Sequence, residues 1–348
     1  MKKALLLLSI TFLLFSCTER PQEARVLQGA AFGTTYSIQY FSEAEFDAQK
    51  GLDSVLALVN KSVNTYIPES DISKINQGDT TVVVDEIFKE VYKISEAVYT
   101  SSEGYFDPTV GILRNAYGFG DTNPVTVLDS TVLDSLRTFV GFRKVKLLEN
   151  GTIKKKYPGI YFDFNAVAKG YGIDKIGDYL EAQGVSDYII ELGGELLAKG
   201  KNLTKEQFWT AGIEAIDSEL ENRSYLATVR LENGALASSG NYRKFRINPR
   251  TGQKYVHTIN PLTGLAEESN VTSATVLAPT CGLADAYATA FMAMGLERSK
   301  KVLAATNGIE AFLTYHTSSV KNGEEEGRFI TNGFKKQLVL PKLPADGE

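Results

Sequence analysis

The chain contains few of the side chains from which metal and redox sites are most often built. Its 348 residues include two Cys and two His. Two imidazoles exclude a poly-histidine metal site, so His257 and His316 are the only candidates for imidazole chemistry. If Cys17 carries lipid, as its sequence context predicts, Cys281 is the only free thiol, which excludes an intramolecular disulfide. A lone Cys between Thr280 and Gly282 is predicted to be buried packing rather than a nucleophile.

Several common signatures are also absent. No G-x-x-x-x-G-K-[ST], G-x-G-x-x-G or G-x-S-x-G string occurs, so a phosphate loop, a dinucleotide fold and a hydrolase elbow have no support. The 37 Lys and Arg are outnumbered by 42 Asp and Glu, and the net charge is −5 without a basic block. This balance argues against a nucleic-acid partner, whose phosphates would need neutralising.

The first residues are typical of a bacterial export leader. A basic start is followed by an apolar run from Ala4 to Phe15, which is too short for a membrane span. Leu14-Phe15-Ser16-Cys17 resembles a lipoprotein lipobox, although an ordinary signal peptide with an incidental Cys is the alternative. We predict a signal peptide at 1–16, lipidation of Cys17, a tether at 17–24 and one domain over 25–348. The lipid would anchor that domain to a bacterial membrane on the extracytoplasmic (periplasmic) side.

The order of apolar patterns predicts an α+β fold, because strands and helices mix without a regular βαβ repeat. We expect a single domain with a ligand cleft between two subregions. Strands are predicted in a pair over 26–40 and at Tyr188–Leu192, Phe208–Ile216, Tyr225–Leu231, Lys254–Ile259 and Val271–Ala278. Helices are predicted over Leu52–Val63, Ile87–Val98, Gly170–Gln183 and Cys281–Met294. Asn64–Ser70 is predicted to be an exposed loop, and Gly104–Gly120 a loop-rich wall.

Three segments carry residues that suit a phosphate ligand. Asp163 to Gly170 opens a predicted helix, where free N–H groups and Lys169 favour an anion, unless Lys169 is solvated and pairs with Asp163. Asp285 and Thr289 are four residues apart on a helix and offer two oxygens to a hard cation, unless they serve capping or packing. His257 ends a strand before a Pro/Gly turn, from which it can point into a cleft, although a lone His is more often structural.

Taken in order, these segments resemble the ApbE family of FAD:protein FMN transferases over nearly the whole mature chain. Any one string is weak evidence, but the ordered set is specific. The matching strings are Gly33 to Tyr36, Tyr66 to Ser70 leading to Asn76, Phe106 to Gly111, Gly118 to Gly120, Asp163 to Gly170, Gly193-Gly194, Ser239 to Tyr242, His257 to Gly264 and Ala284 to Thr289.

The resemblance implies Mg²⁺-dependent transfer of FMN from FAD to a Thr or Ser hydroxyl of an acceptor protein, with release of AMP. The acceptors would be flavoprotein subunits of membrane redox complexes. It implies metal ligands at Asp285, Thr289 and the Ala166 carbonyl, and a catalytic role for His257. The proton of the acceptor hydroxyl would go to His257 or to Asp285. FAD contacts are implied at Phe32, Tyr66, Tyr105, Phe106, Asp107, Asp163, Lys169 and Ile259.

The chain departs from the family pattern at four places. Phe32 replaces a Met, Asn165-Ala166 replaces a Gly pair, Asn260 replaces an Asp, and Glu195 stands where an Asp is usual. Asn260 removes a charge near the site, whereas Ala166 still offers its carbonyl. Two other activities remain open from the sequence: an FAD diphosphatase that gives FMN and AMP, and an FAD-binding lipoprotein without turnover.

Overall fold

The computed structural model describes residues 23–215, 224–241, 245–247, 252, 254–316 and 326–339. The predicted signal peptide, Cys17 and most of the tether lie outside these residues, as does Tyr242 of the Ser239 to Tyr242 string. None of the helices in the described ranges is long and apolar enough to cross a bilayer.

The described elements confirm the α+β class. Strands are β1 (Arg25–Ala31), β2 (Thr34–Phe41), β3 (Val145–Leu147), β4 (Ile153–Lys155), β5 (Asp187–Leu192), β6 (Glu195–Lys199), β7 (Lys201–Asn202), β8 (Gln207–Glu214), β9 (Tyr225–Leu231), β10 (Gly234–Gly240), β11 (Phe245–Ile247), β12 (Lys254–Val256), β13 (Val271–Ala278), β14 (Glu310–His316), β15 (Glu326–Ile330) and β16 (Leu338–Val339). Helices are α1 (Ala48–Val63), α2 (Asp71–Gln77), α3 (Glu86–Ser101), α4 (Gly111–Tyr117), α5 (Ser130–Arg137), α6 (Ala168–Ala182), α7 (Cys281–Met294), α8 (Leu296–Ala305) and α9 (Asn332–Gln337).

The main sheet has the strand order β1-β2-β5-β6-β10-β13-β14-β15, and every neighbouring pair is antiparallel. Alternate side chains of a strand point to opposite faces, so this sheet supplies two cores. In β5, Ile190 and Leu192 pack into the larger core with Leu52 and Phe291 of the helices. Ile189 packs on the other face, into a smaller core that contains Trp209. That second core is covered by a four-stranded sheet of order β16-β9-β8-β7.

Helix boundaries follow recognisable caps. Asp47 and Asp85 accept hydrogen bonds from the Lys50 and Phe88 amides at the starts of α1 and α3. Gly184, with φ of 81°, follows the end of α6 as predicted. The predicted bounds of β13 and α7 match the structure.

Other predictions need correction. The segment Gly104–Gly120 was expected to lack regular structure, but it contains α4, a seven-residue helix. The predicted strand Lys254–Ile259 ends at Val256. The strands that were not predicted are β3, β4, β6, β7, β10, β11, β14, β15 and β16, and the helices, besides α4, are α2, α5, α8 and α9.

Two hairpin turns define the end of the main sheet where the site lies. Residues Tyr36 and Leu192 are paired between β2 and β5, so the turns at Phe32-Gly33 and Gly193-Gly194 lie at the same end. All four turn residues have positive φ, between 50° and 104°. Phe32 is the only one of the four that is not glycine, and its ring packs against α6, since a Cβ on Gly172 would lie 2.8 Å from it.

Candidate functional site

A cleft of about 1260 Å³ lies at this end of the sheet. It is bounded by the two hairpin turns, the start of α6, one face of α7 and loops that follow α1 and α3. All of the predicted FAD-contact, metal and catalytic residues line this cleft; they are Phe32, Tyr66, Tyr105, Phe106, Asp107, Asp163, Ala166, Lys169, His257, Ile259, Asp285 and Thr289. The structure thus brings the set together, while the individual roles stay predictions.

The crossing of α6 and α7 places the predicted phosphate and metal residues side by side. A Cβ on Gly170 would lie 2.3 Å from the carbonyl oxygen of Cys281, so only glycine allows the two helices to approach this closely. The Gly170 amide donates a hydrogen bond to Asp285 Oδ2 at 3.2 Å. Asp285 is therefore held directly at the first turn of α6.

A second carboxylate fixes the start of α7. Asp174 of α6 accepts hydrogen bonds from the Cys281 and Gly282 amides at 2.7 and 2.9 Å. The first amides of a helix have no partner within the helix, so Asp174 acts as a cap supplied by the neighbouring helix. Burial raises the pKa of Asp174 to about 7, although the two amides oppose the rise. Cys281 itself is fully buried, as predicted for a packing residue.

The surroundings of Asp285 fit a hard cation. Its side chain is buried, with 5% of the residue exposed, and no described residue other than Gly170 donates a hydrogen bond to it. Burial raises the pKa of Asp285, against the opposing effects of Lys169 and the Gly170 amide. A buried carboxylate with a spare oxygen is stabilised by a cation. Thr289 and Ala166 line the same cleft.

The donor set limits which metal would suit this position. Within the described ranges, no three His, Cys, Asp or Glu side chains cluster in a way that could hold a metal ion. A cation here would therefore take one carboxylate, a hydroxyl and a carbonyl, and complete its shell with water and ligand oxygens. Mg²⁺ is commonly bound in that way, with few protein ligands and several oxygens from phosphates and water.

Lys169 has a different partner from the one considered for it in the sequence. Its Nζ forms an ion pair with Glu195 Oε2, at the start of β6, and not with Asp163. Burial alone would lower the pKa of Lys169, but the charges of Glu195 and Asp285 outweigh it and raise that pKa. Lys169 therefore stays an ammonium, and it lines the cleft beside the predicted cation position. Glu195, the acid after Gly193-Gly194, therefore holds the Lys169 ammonium in place.

Asp163 is held by a residue to which no sequence motif pointed. Arg114 of α4 forms an ion pair with Asp163 Oδ2, and its other terminal nitrogen donates to the Phe119 carbonyl at 2.9 Å. Burial tends to lower the pKa of Arg114, but Asp163 and Tyr66 outweigh this effect and raise it. Arg114 also lines the cleft. The only indication of Arg114 in the sequence is that it is a single basic residue between two apolar stretches, 110–113 and 116–119.

Asn76, which follows the Tyr66 to Ser70 string, holds the backbone next to Asp163. Its side-chain amide donates to the Phe162 carbonyl at 2.8 Å and accepts from the Phe162 amide at 2.7 Å. This pair of bonds clamps the backbone directly before Asp163. Asp163 Oδ1 in turn accepts from the Asn165 amide at 2.8 Å, which shapes the turn that leads to Ala166.

The carboxylate of Asp107 is already occupied. It accepts hydrogen bonds from the amide and hydroxyl of Thr109 and from the Phe142 amide. Burial raises the pKa of Asp107 to about 6, although these bonds oppose the rise. Asp107 thus organises the loop that forms this wall of the cleft, and an FAD contact by its carboxylate would compete with those bonds.

Aromatic and imidazole groups lie on the remaining walls. Tyr66 is 56% exposed, so its ring is open to a ligand. Flat apolar faces of this kind stack well on flavin or adenine rings. His257 lies on the cleft wall, next to Thr258, whose hydroxyl donates to Asn241 Oδ1 at 3.0 Å. That bond anchors the His257 to Gly264 string to the end of β10.

Comparison with known proteins identifies the family of the chain. The model of the ApbE family matches residues 32–313. An FAD:protein FMN transferase from Vibrio cholerae is 34% identical, over 97% of this chain and 99% of that protein. One from Haemophilus influenzae is 32% identical over 84% and 87% of the two chains. The solved flavin transferase ApbE from Vibrio cholerae superposes with a TM-score of 0.80 at 31% identity, over 91% of this chain and all of that one. The resemblance found in the sequence is therefore confirmed, and the chain belongs to the ApbE family.

Proposed function

We propose that the protein is an FAD:protein FMN transferase, which moves FMN from FAD to a Thr or Ser hydroxyl of an acceptor protein through a phosphoester bond. The names of its relatives support the enzyme class. The observation that carries the proposal is the close contact of α6 and α7 at Gly170. This contact brings Lys169, Asp285 and the Ala166 turn to one wall of the cleft. This wall has the charges that a dinucleotide pyrophosphate requires.

The first turn of α6 and Lys169 would bind the pyrophosphate of FAD. The dipole of a helix favours an anion at its N-terminus, and the Lys169 ammonium adds a full positive charge, whereas the Ala168 and Gly170 amides already donate to Phe164 and Asp285. Glu195 orients that ammonium and keeps it protonated. The chain can therefore bind a dianionic group although its overall charge is −5.

A Mg²⁺ ion would be held by Asp285, Thr289 and the Ala166 carbonyl, and would neutralise charge on the oxygens of the pyrophosphate as its P–O bond breaks. In the proposed step, the acceptor hydroxyl oxygen bonds to the FMN phosphorus, and the anhydride oxygen leaves with AMP. The hydroxyl proton must pass to a base on the cleft wall. We assign it to His257 rather than Asp285, because a carboxylate that binds a cation is a weak base.

Tyr66 and Phe32 would hold the flat rings of FAD. Tyr66 offers an open ring on one wall, and Phe32 lies in a tight turn against α6 on another. Arg114 and Asn76 would act indirectly, since they fix Asp163 and the turn that leads to the predicted metal position.

The N-terminal sequence supports an anchored enzyme. We propose that Cys17 carries lipid at the extracytoplasmic face of the membrane and that the acceptors are flavoprotein subunits of membrane redox complexes. Partition of the full-length protein into detergent, with loss of partition in Cys17→Ser, tests the anchor. Equal partition of the two proteins would contradict it.

Transfer can be measured directly. Purified protein, FAD and Mg²⁺ would be incubated with candidate extracytoplasmic flavoprotein domains, and the acceptor examined by gel fluorescence and mass spectrometry. We expect a covalent FMN adduct on one Thr or Ser, equal amounts of AMP, and loss of both with EDTA. FMN and AMP without an adduct would indicate a diphosphatase, and unchanged FAD would indicate a binding protein; either result would refute the transferase.

A matched pair of variants tests the metal position. Asp285→Asn keeps the size of the side chain and removes its charge, so we expect a loss of turnover of about a hundredfold or more, given the several kcal/mol that a catalytic metal supplies. Asp178→Asn, at an exposed acid on neighbouring α6, is the control and should keep full activity. Full activity in Asp285→Asn would remove the metal assignment.

A further inference from the structure

One wall of the cleft is not used by any of the predicted donor contacts. Residues Thr210–Ile213 of β8 and Tyr225 of β9 line the same cleft as the predicted FAD and metal residues. The predicted FAD contacts come from the helices, the loops and the Phe32 turn. The β8 wall is therefore available to the second substrate, whose hydroxyl must reach the same phosphorus.

Among the described residues, no strand pairs with one side of β8 along this wall. Strand β8 pairs with β9 from Trp209 to Glu214. On its other side β7 pairs only with Gln207 and Phe208, and no other described strand continues that pairing. Backbone groups at such a free strand edge readily pair with an extended segment of another protein.

A basic surface continues from this wall away from the cleft. Thr210 also lines a second cavity, of about 470 Å³, whose described lining carries Lys201, Arg230, Lys336 and one acid, Glu206. Arg230 also forms an ion pair with Glu232, which does not line the cavity, at 2.8 Å. Phe208 lies in the same cavity, with Lys201 Nζ 5.1 Å and Arg230 Cζ 5.8 Å from the centre of its ring. Three basic side chains against Glu206 and Glu232 leave a charge of +1 at this surface, whereas the chain as a whole carries −5. We name these residues (Lys201, Phe208, Thr210, Arg230 and Lys336) the β8 patch.

We propose that the β8 patch is the docking surface for the acceptor protein, which binds it through an acidic segment and extends its Thr or Ser along β8 into the cleft. The proposal rests on the proposed transfer activity and names the surface that selects its protein substrate. Lys201, Arg230 and Lys336 attract the acidic segment, and Phe208 supplies an apolar contact between them. Surface charges of this kind mainly govern the encounter of two proteins and its salt dependence.

Charge reversal separates docking from chemistry. The triple variant Lys201→Glu, Arg230→Glu, Lys336→Glu would be compared with the wild type and with a control triple, Lys50→Glu, Lys146→Glu, Lys154→Glu. The control makes the same change in net charge at exposed Lys residues that do not line either cavity. The probe is the acceptor domain that the wild type labels in the assay above. A second triple variant, with Gln at the same three patch positions, removes the charges without reversing them. It shows whether an effect of the Glu triple comes from misfolding.

Three quantities would be measured: KM for the acceptor, the dissociation constant for FAD from quenching of flavin fluorescence, and the salt dependence of KM. We expect the patch triple to raise KM for the acceptor by about tenfold or more and to weaken its salt dependence, as for a rim of complementary charges. The Gln triple should show a smaller rise, and FAD binding should stay within about twofold in both.

Two results would overturn the proposal. One is that both patch variants have the same KM for the acceptor as the control triple. The other is a parallel loss of FAD binding, which would mean that the substitutions disturb the donor site rather than docking. If the wild type labels no acceptor at all, the proposed transfer itself is refuted, and the patch proposal falls with it.

Discussion

The carboxyl of Asp174 should make the stability of the protein depend on pH in an unusual direction. Burial raises its pKa from the ordinary 3.8 to about 7. The folded state then binds more protons than the unfolded state between these two values, so the free energy of unfolding falls as the pH rises through this window. At about 1.4 kcal/mol for each pH unit, the stabilisation present below pH 4 and lost above pH 7 amounts to at most roughly 4 kcal/mol.

Asp174→Asn removes this proton site while keeping the shape of the side chain. Its amide oxygen can still accept from one of the Cys281 and Gly282 amides, but not from both, which costs about 1–3 kcal/mol. We therefore expect the variant to be less stable than the wild type at pH 4 and to recover relative to it by pH 8.

Urea denaturation of both proteins at intervals from pH 4 to 8 measures the difference. Asp53→Asn, at an exposed acid of α1, is the control and should follow the wild type at every pH. A constant difference between Asp174→Asn and the wild type across the range would refute the reasoning, because it would mean that Asp174 has the same pKa in the folded and unfolded states.

Three further substitutions test the packing that positions the site. Gly170→Ala should cost about 1–3 kcal/mol and lower FAD turnover, because the new methyl would meet the Cys281 carbonyl; unchanged turnover would contradict the tight crossing. Asn76→Ala removes both bonds to the Phe162 backbone and should cost about 1–3 kcal/mol in urea, with weaker FAD binding. Phe88→Ala, at a fully buried ring beside Phe162, should cost about 3–5 kcal/mol by thermal or urea unfolding, and a smaller loss would mean that the core refills the space.

Elements with strong local signals could be predicted from the sequence. Helix α7 has an N-capping Thr280, a run of alanines and Gly295 after its end, and its predicted bounds match the structure. The start of α3 was predicted from Asp85, whose side chain does cap it. The position of the site was predicted from ordered strings of the ApbE family, and all of the named residues line one cleft.

Elements whose stability comes from distant contacts were missed. Strand β10 has the sequence GALASSG, in which small residues have weak strand propensity. It forms because it lies between β6 and β13 in the sheet. Helix α4 has only seven residues, which is too short for a helical repeat of apolar residues to be recognised. It also begins with a glycine, which disfavours helix. The partners of Lys169 and Arg114 are 26 and 49 residues away, and local patterns carry no information on such pairs.

The meeting of Gly170 with Asp285 has a consequence for how the enzyme matures. The two residues are 115 positions apart, so their contact can form only once the chain has been made through α7, and closing so long a loop costs conformational entropy. A nascent or truncated chain that ends before α7 would contain the Lys169 ammonium but not the buried Asp285 carboxylate. Catalytic activity should accordingly appear late in folding, so in a refolding experiment the recovery of activity should lag behind the formation of helices.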